Sequence, residues 1–291
     1  MNNKAIINIL NLTKWYDFNH ISISIARSCL ALGSIITLLF NSPILLFSPT
    51  SNTNPSHVFD LTKISIFYIS YPNYLYVAII VSIIILLSVI IGIYPRITCF
   101  FQWWISYSIF NSSYVIEGGD QITSILTLLL IPICLTDNRI NHWKYKTQSK
   151  RLDFLYYNAV FAYWIIRLQM AILYLNASIS KLKVNEWVNG TALYYWFTEP
   201  NFGMPNYLYP LIMPLIEDRL ILPIFTWSVI LCEFFLFLAF NFNNNWRRRW
   251  LVIGILFHLG IFVIHGLFSF FLAMTGGLIL YLHSIKKKEN V

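Results

Sequence analysis

The sequence predicts an all-α, polytopic membrane helical bundle of about seven or eight transmembrane helices, organised as one domain over residues 1–291. Three observations predict it. Of 291 residues, 57% are hydrophobic and 11% charged, whereas soluble domains carry roughly 25% charged residues. The stretch from Leu75 to Tyr94 is 20 residues without a charge, and at about 1.5 Å per residue a helix of that length covers the roughly 30 Å of a bilayer's hydrocarbon core. Comparable windows recur near 21–40, 97–116, 121–136, 154–178, 221–240 and 250–283.

Lys4 and Lys14 precede the first span, about 21–40, and favour a cytoplasmic N-terminus. That span has no small-x-small cleavage site and reads as a signal anchor. It carries Arg27 about two turns in. The Asn-, Ser- and Pro-rich loop 41–73 holds only Asp60 and Lys63 and fits the outer side. Span two, 75–94, ends at a tight inner turn at Pro95-Arg96. Span three, about 97–116, is aromatic (Phe100, Trp103, Trp104, Tyr107), and Glu117-Gly118-Gly119-Asp120 follows as an expected outer turn.

Span four, about 121–136, leads into an inner loop with Arg139, Lys144, Lys146, Lys150 and Arg151, and span five, about 154–178, emerges at Lys181. Residues 185–216 are aromatic and broken by Pro200, Pro205, Pro210 and Pro214. Proline interrupts helical hydrogen bonding, so this segment is an external cap or a re-entrant piece shielded by neighbouring helices. Span six, about 221–240, returns to Arg247-Arg248-Arg249. The run 250–283 is too short for two full spans of about 20 residues each. A single span would put Lys286-Lys287-Lys288 outside, against the charge bias. Two short helices turning near His265-Gly266 satisfy both constraints and place both termini in the cytoplasm.

The net charge of +8 sits in clusters beside apolar runs, which fits anionic lipid and not a nucleic-acid face. Cys29, Cys99, Cys134 and Cys232 each lie in an apolar run without a Cys-x-x-Cys pair and read as isolated small hydrophobes. No His-Glu-x-x-His, Gly-x-Ser-x-Gly, phosphate-loop or dinucleotide pattern is present.

The informative residues are those that hydrocarbon should expel, since an ionised side chain at mid-membrane costs at least about 2.5–3.5 kcal/mol. In span five, Arg167, Tyr174 and Lys181 are seven apart and share a helical face, while Gln169 and Asn176 repeat that spacing on what reads as an adjoining face. Glu233 in span six is the expected counter-charge for Arg167 or Arg27. His258 and His265 are also seven apart; two histidines alone make a weak metal site, so no metal is expected and acid–base or ligand contact is the functional option. For Arg167, Lys181, Glu233 and the histidines alike, the alternative is purely structural: ion pairs and hydrogen bonds that lock the bundle.

Arg167-Leu-Gln169, Ile172-Leu-Tyr174-Leu-Asn-Ala177, Lys181-Leu182, Trp187 and Gly190-Thr-Ala-Leu-Tyr-Tyr195 together resemble the central signature of the horizontally transferred transmembrane (HTTM) superfamily. That superfamily includes the membrane domain of vitamin-K-dependent gamma-carboxylase. Glu117-Gly-Gly-Asp120 and the Glu233 and His258 segments are similar to its other recurrent places. In size, the chain resembles the sporulation-delaying protein B (SdpB-like) family.

The resemblance implies a membrane factor for maturation or export of a secreted antimicrobial peptide. Its implied partners are a secreted peptide-toxin precursor, a small SdpA-like companion protein and membrane lipid. It further implies Lys181 as a candidate catalytic base, since the carboxylase has a lysine base at this place; the large lumenal domain with which the carboxylase grips its substrate has no counterpart here. If chemistry occurs, Arg167 would orient a carboxylate or stabilise negative charge, with Glu233 and His258 as further candidate catalytic residues. Gln169, Tyr174, Asn176, Trp187 and His265 are candidate substrate contacts. The cofactor is unknown. A quinone-dependent or carboxylase-like membrane enzyme stays open, as does a transporter or immunity protein, although a transporter should show paired broken helices and only one disrupted region is visible.

Overall fold

The computed structural model describes residues 16–47, 61–114, 117–144, 154–200 and 202–285. The expected contributions of Lys4, Lys14, Asp60, Lys146, Lys150, Arg151 and Lys286–Lys288 lie outside these residues.

Among the described residues, eight helices of 15 residues or more form the bundle. They are α1 (Ile21–Phe40), α4 (Leu75–Ile91), α5 (Pro95–Ser112), α6 (Gly118–Leu135), α7 (Phe154–Lys181), α11 (Ile221–Leu238), α12 (Asn244–His265) and α13 (Phe268–Leu282). The short helices are α2 (Pro43–Phe47), α3 (Ile66–Ser70), α8 (Asn185–Val188), α9 (Ala192–Thr198) and α10 (Tyr209–Ile216). Helices α1, α6, α7, α11 with the turn after it, and α12 are long and apolar enough to cross a membrane; α4 and α13 are apolar but shorter. The chain is thus an all-α helical membrane protein. The described residues include no strand, and Ile93 and Asn141 form an isolated bridge.

Helix ends follow local chemistry. The α4–α5 turn uses Gly92 at φ 94°, and Pro95 opens α5, where its missing N–H costs nothing. The last carbonyls of α4 are capped by side chains of the loop after α6: Asn141 Nδ2 donates to Ile91 O and Trp143 Nε1 to Ile90 O. Helix α12 starts with the Asn243 side chain accepting from the Trp246 amide, a normal N-cap. Gly266, at φ 72°, closes α12 and turns the chain into α13 where the sequence places the turn, but α12 starts at Asn244 and has 22 residues, so only α13 is short.

Helix α13 is central, packing on α1, α6, α7 and α12. Close approach depends on missing side chains: a Cβ on Gly276 would sit 3.0 Å from the Ala26 carbonyl of α1, and one on Gly277 2.8 Å from Met170 Cε of α7. Small residues let helix backbones pack closely where lipid supplies no hydrophobic drive. The expected outer turn at Glu117–Asp120 is corrected in the same terms. Gly118 to Asp120 form the first turn of α6, and Gly119 serves helix packing: a Cβ there would lie 2.9 Å from the Phe270 Cα of α13.

Several charges are inside the protein and not at the lipid surface. Arg139 makes a buried two-pronged contact with Asp137, with Nε to Oδ1 at 2.8 Å and Nη2 to Oδ2 at 2.7 Å. Arg247 is buried and donates to the Tyr281 carbonyl at 2.9 Å, whereas Arg248 and Arg249 are exposed. Cys99 and Cys134 are buried free thiols, and Cys99 Sγ donates to the Arg96 carbonyl one turn back, at 3.2 Å. All four cysteines, Cys29, Cys99, Cys134 and Cys232, are free thiols.

Candidate functional site

Helix α7 has 28 residues and so extends about 42 Å, more than the roughly 30 Å hydrocarbon core. Its polar stripe meets different neighbours at different heights. Lys181, at its end, faces Glu233 of α11, and Nζ is 2.7 Å from both carboxylate oxygens. The side chains are only 20% and 9% exposed. This corrects the expected pairing of Glu233 with Arg167 or Arg27. Seven-residue spacing aligns side chains on α7 but does not fix which height α11 presents its carboxylate to.

Two turns back on the same face, the Tyr174 hydroxyl lies 2.9 Å from His258 Nε2 of α12. His258 is 3% exposed, and its Nδ1 is buried without a hydrogen-bond partner. Between these pairs, Ser178 donates to the Ile230 carbonyl of α11. Thr226, seven residues before Glu233 and fully buried, leaves its hydroxyl oxygen unpartnered.

The segment after α7 closes over this end. The Trp187 ring centroid is 5.2 Å from Lys181 Nζ, within cation–π range. Gly190, at φ 77°, brings the chain against α11, where a Cβ would lie 2.7 Å from Pro223. An open depression of about 410 Å³ is lined by Val184, Glu186, Trp187, Ala192, Tyr195 and Trp196. Trp187 therefore belongs both to the wall of the depression and to the surroundings of the ion pair.

No protein-family profile matches the chain, and no solved structure matches it. The chain is 38% identical over 261 residues to the sporulation-delaying protein SdpB of Bacillus subtilis (strain 168), covering 90% of this chain and 80% of the relative. It belongs to the SdpB family. It is also 36% identical over 279 residues to the uncharacterized protein YitO of the same strain, covering 94% and 89% of the two chains.

In this SdpB-family chain the remaining candidates lie elsewhere. Arg167 is 14 residues from Lys181, about 21 Å along a helix. Its Nε donates to the Tyr281 carbonyl and its Nη2 to the Phe240 carbonyl, each at 3.2 Å, and its guanidinium lies 4.6 Å from the Trp164 ring centroid. Arg27 bonds to Gln102 and Thr98 of α5. Gln169 is half-buried and Asn176 exposed. Two residues of helix turn through about 200°, so both point away from the Arg167–Tyr174–Lys181 face and do not adjoin it. His265 contacts the Phe202 carbonyl through Nδ1 and pins the cap, apart from His258. Among the described residues no three His, Cys, Asp or Glu side chains form a metal-sized group.

Sequence reasoning misses Thr226, Ser178 and Trp196. A threonine in an apolar helix ordinarily bonds its own backbone, so Thr226 carries no signal. The aromatic run Tyr194-Tyr195-Trp196 does mark the cap, without showing which rings face the depression.

Proposed function

We propose that this chain serves maturation or export of a secreted antimicrobial peptide of the sporulation-delaying kind, working in the membrane with a small companion protein. The family relationship supports the pathway. The single observation that supports a site is the Lys181–Glu233 pair beneath Trp187, at the end of α7 beside the aromatic depression. A peptide's apolar side chain fits aromatic walls, and its polar backbone or carboxylate finds partners in Lys181, Glu233 and His258. By the charge bias of the loops this end faces outward, on the side where a secreted peptide emerges.

A chemical form of the reading rests on the Tyr174–His258 pair, where the unpartnered Nδ1 offers a buried proton donor or acceptor. Lys181 as base requires a further step. An ammonium held by both oxygens of a carboxylate has no free lone pair, so it has to leave Glu233 and lose a proton before it can act as a base. The HTTM-like membrane-domain resemblance belongs to this form.

The test is deletion of the gene in cells that keep the precursor and the companion. The expected result is precursor without mature peptide, and unchanged sensitivity to mature peptide added from outside. Normal mature peptide would contradict the proposal. Increased sensitivity to added peptide with normal maturation would assign an immunity role instead.

A further inference from the structure

The segment from Lys183 to Leu220 connects the end of one membrane-length helix, α7, to the start of another, α11. Both of its ends are thereby fixed near one level of the bilayer. Its core is small: Phe197, Met204 and Ile216 cluster inside it. Outside, it carries an apolar surface that a water-facing cap would not need. Tyr207 is 76% exposed, Leu211 71% and Leu220 77%, and Tyr195, Trp196 and Leu215 are also exposed. Tyr207, Leu211 and Leu215 are four apart, so they form one stripe along α10 and the turn before it. Helix α10, Tyr209–Ile216, contains no charge, and Glu217, Asp218 and Arg219 follow directly after it.

We infer that this segment lies in the plane of the membrane interface, with the Tyr207–Leu211–Leu215 stripe against the headgroup–acyl boundary and Glu217–Arg219 at the water side. Tyrosine and tryptophan favour that depth because each has an apolar body and a polar tip. An apolar helix face buried about 5–10 Å at the boundary is stabilised without spanning. The two membrane helices that bracket the segment hold it there. The Trp187 depression then opens beside lipid, and an amphipathic ligand reaches it along the membrane surface. The seating itself is independent of what the chain does to a peptide.

The test places a nitroxide label at Leu211→Cys, Tyr207→Cys and Glu217→Cys, in a background lacking the four native cysteines, reconstituted in phosphatidylcholine–phosphatidylglycerol nanodiscs. Collision rates with oxygen and with a water-soluble nickel chelate report depth. The expected result is several-fold less nickel contact and more oxygen contact at 211 and 207 than at 217. Equal nickel access at all three positions would overturn the inference. Modification by a water-soluble maleimide in native membranes gives a second reading with the native cysteines kept: slow at 211 and fast at 217 if the segment is seated, equally fast at both if it is not.

Discussion

Lys181 closes on Glu233 with its ammonium equidistant from the two carboxylate oxygens, 2.7 Å from each. Removing one member of a buried pair leaves the other charge uncompensated, at a cost of about 3–5 kcal/mol in fully buried cases. Lys181 is partly exposed, so Lys181→Met should cost less than that but still lower the melting temperature in detergent. The double variant Lys181→Met/Glu233→Gln should recover much of the loss. Additive losses in the double-mutant cycle would mean that the two groups are not coupled.

Arg167 is expected to act on stability. Its two backbone acceptors come from different elements, Phe240 after α11 and Tyr281 in α13. Charge-assisted hydrogen bonds contribute about 1.5–3 kcal/mol each, and lysine cannot reproduce the guanidinium fork. Both Arg167→Lys and Arg167→Ala should therefore reduce membrane abundance and melting temperature, the second more. Full abundance of Arg167→Ala with loss of peptide maturation would instead place Arg167 in the functional machinery.

The glycines divide into two classes. Gly276→Leu pushes a side chain into the Ala26 carbonyl and Leu30, and overpacking of this kind costs typically about 1–3 kcal/mol. A Cβ on Gly260 meets nothing within 4 Å, and alanine is favoured over glycine in a helix by about 1 kcal/mol. Gly260→Ala should hold or raise the melting temperature, and Gly276→Leu should lower it. The reverse order would contradict the packing described for α13.

Asp218 accepts hydrogen bonds from the Leu220 and Ile221 amides ahead of α11. Those bonds hold its carboxyl below the usual carboxylate range. A depressed folded-state value means that the stabilisation is present above the unfolded value and is lost as pH falls through the folded one. Asp218→Ala should thus lower the melting temperature near neutral pH and lose its effect at strongly acidic pH. An undiminished difference in acid would count against a charged Asp218 as the source.

The helices were legible in sequence because a charge-free run of bilayer length has few places to go except hydrocarbon, and the break at Gly266 followed from length and charge bias. Partner choice was not legible. Heptad spacing put Arg167, Tyr174 and Lys181 on one face, yet the neighbours at each height, Tyr281, His258 and Glu233, come from three other helices. Their relative heights depend on close contacts at Gly119, Gly276 and Gly277 that no local pattern encodes. The buried Arg139 and Arg247 looked like surface charge for the same reason.

Participation of the Lys181–Glu233 site in peptide maturation can be read from the culture medium. Mature peptide is quantified by mass spectrometry from cells carrying Lys181→Met/Glu233→Gln, at membrane abundance matched to the unaltered protein. Precursor without mature peptide is the expected result. Mature peptide at the unaltered level would show that the pair has no part in maturation.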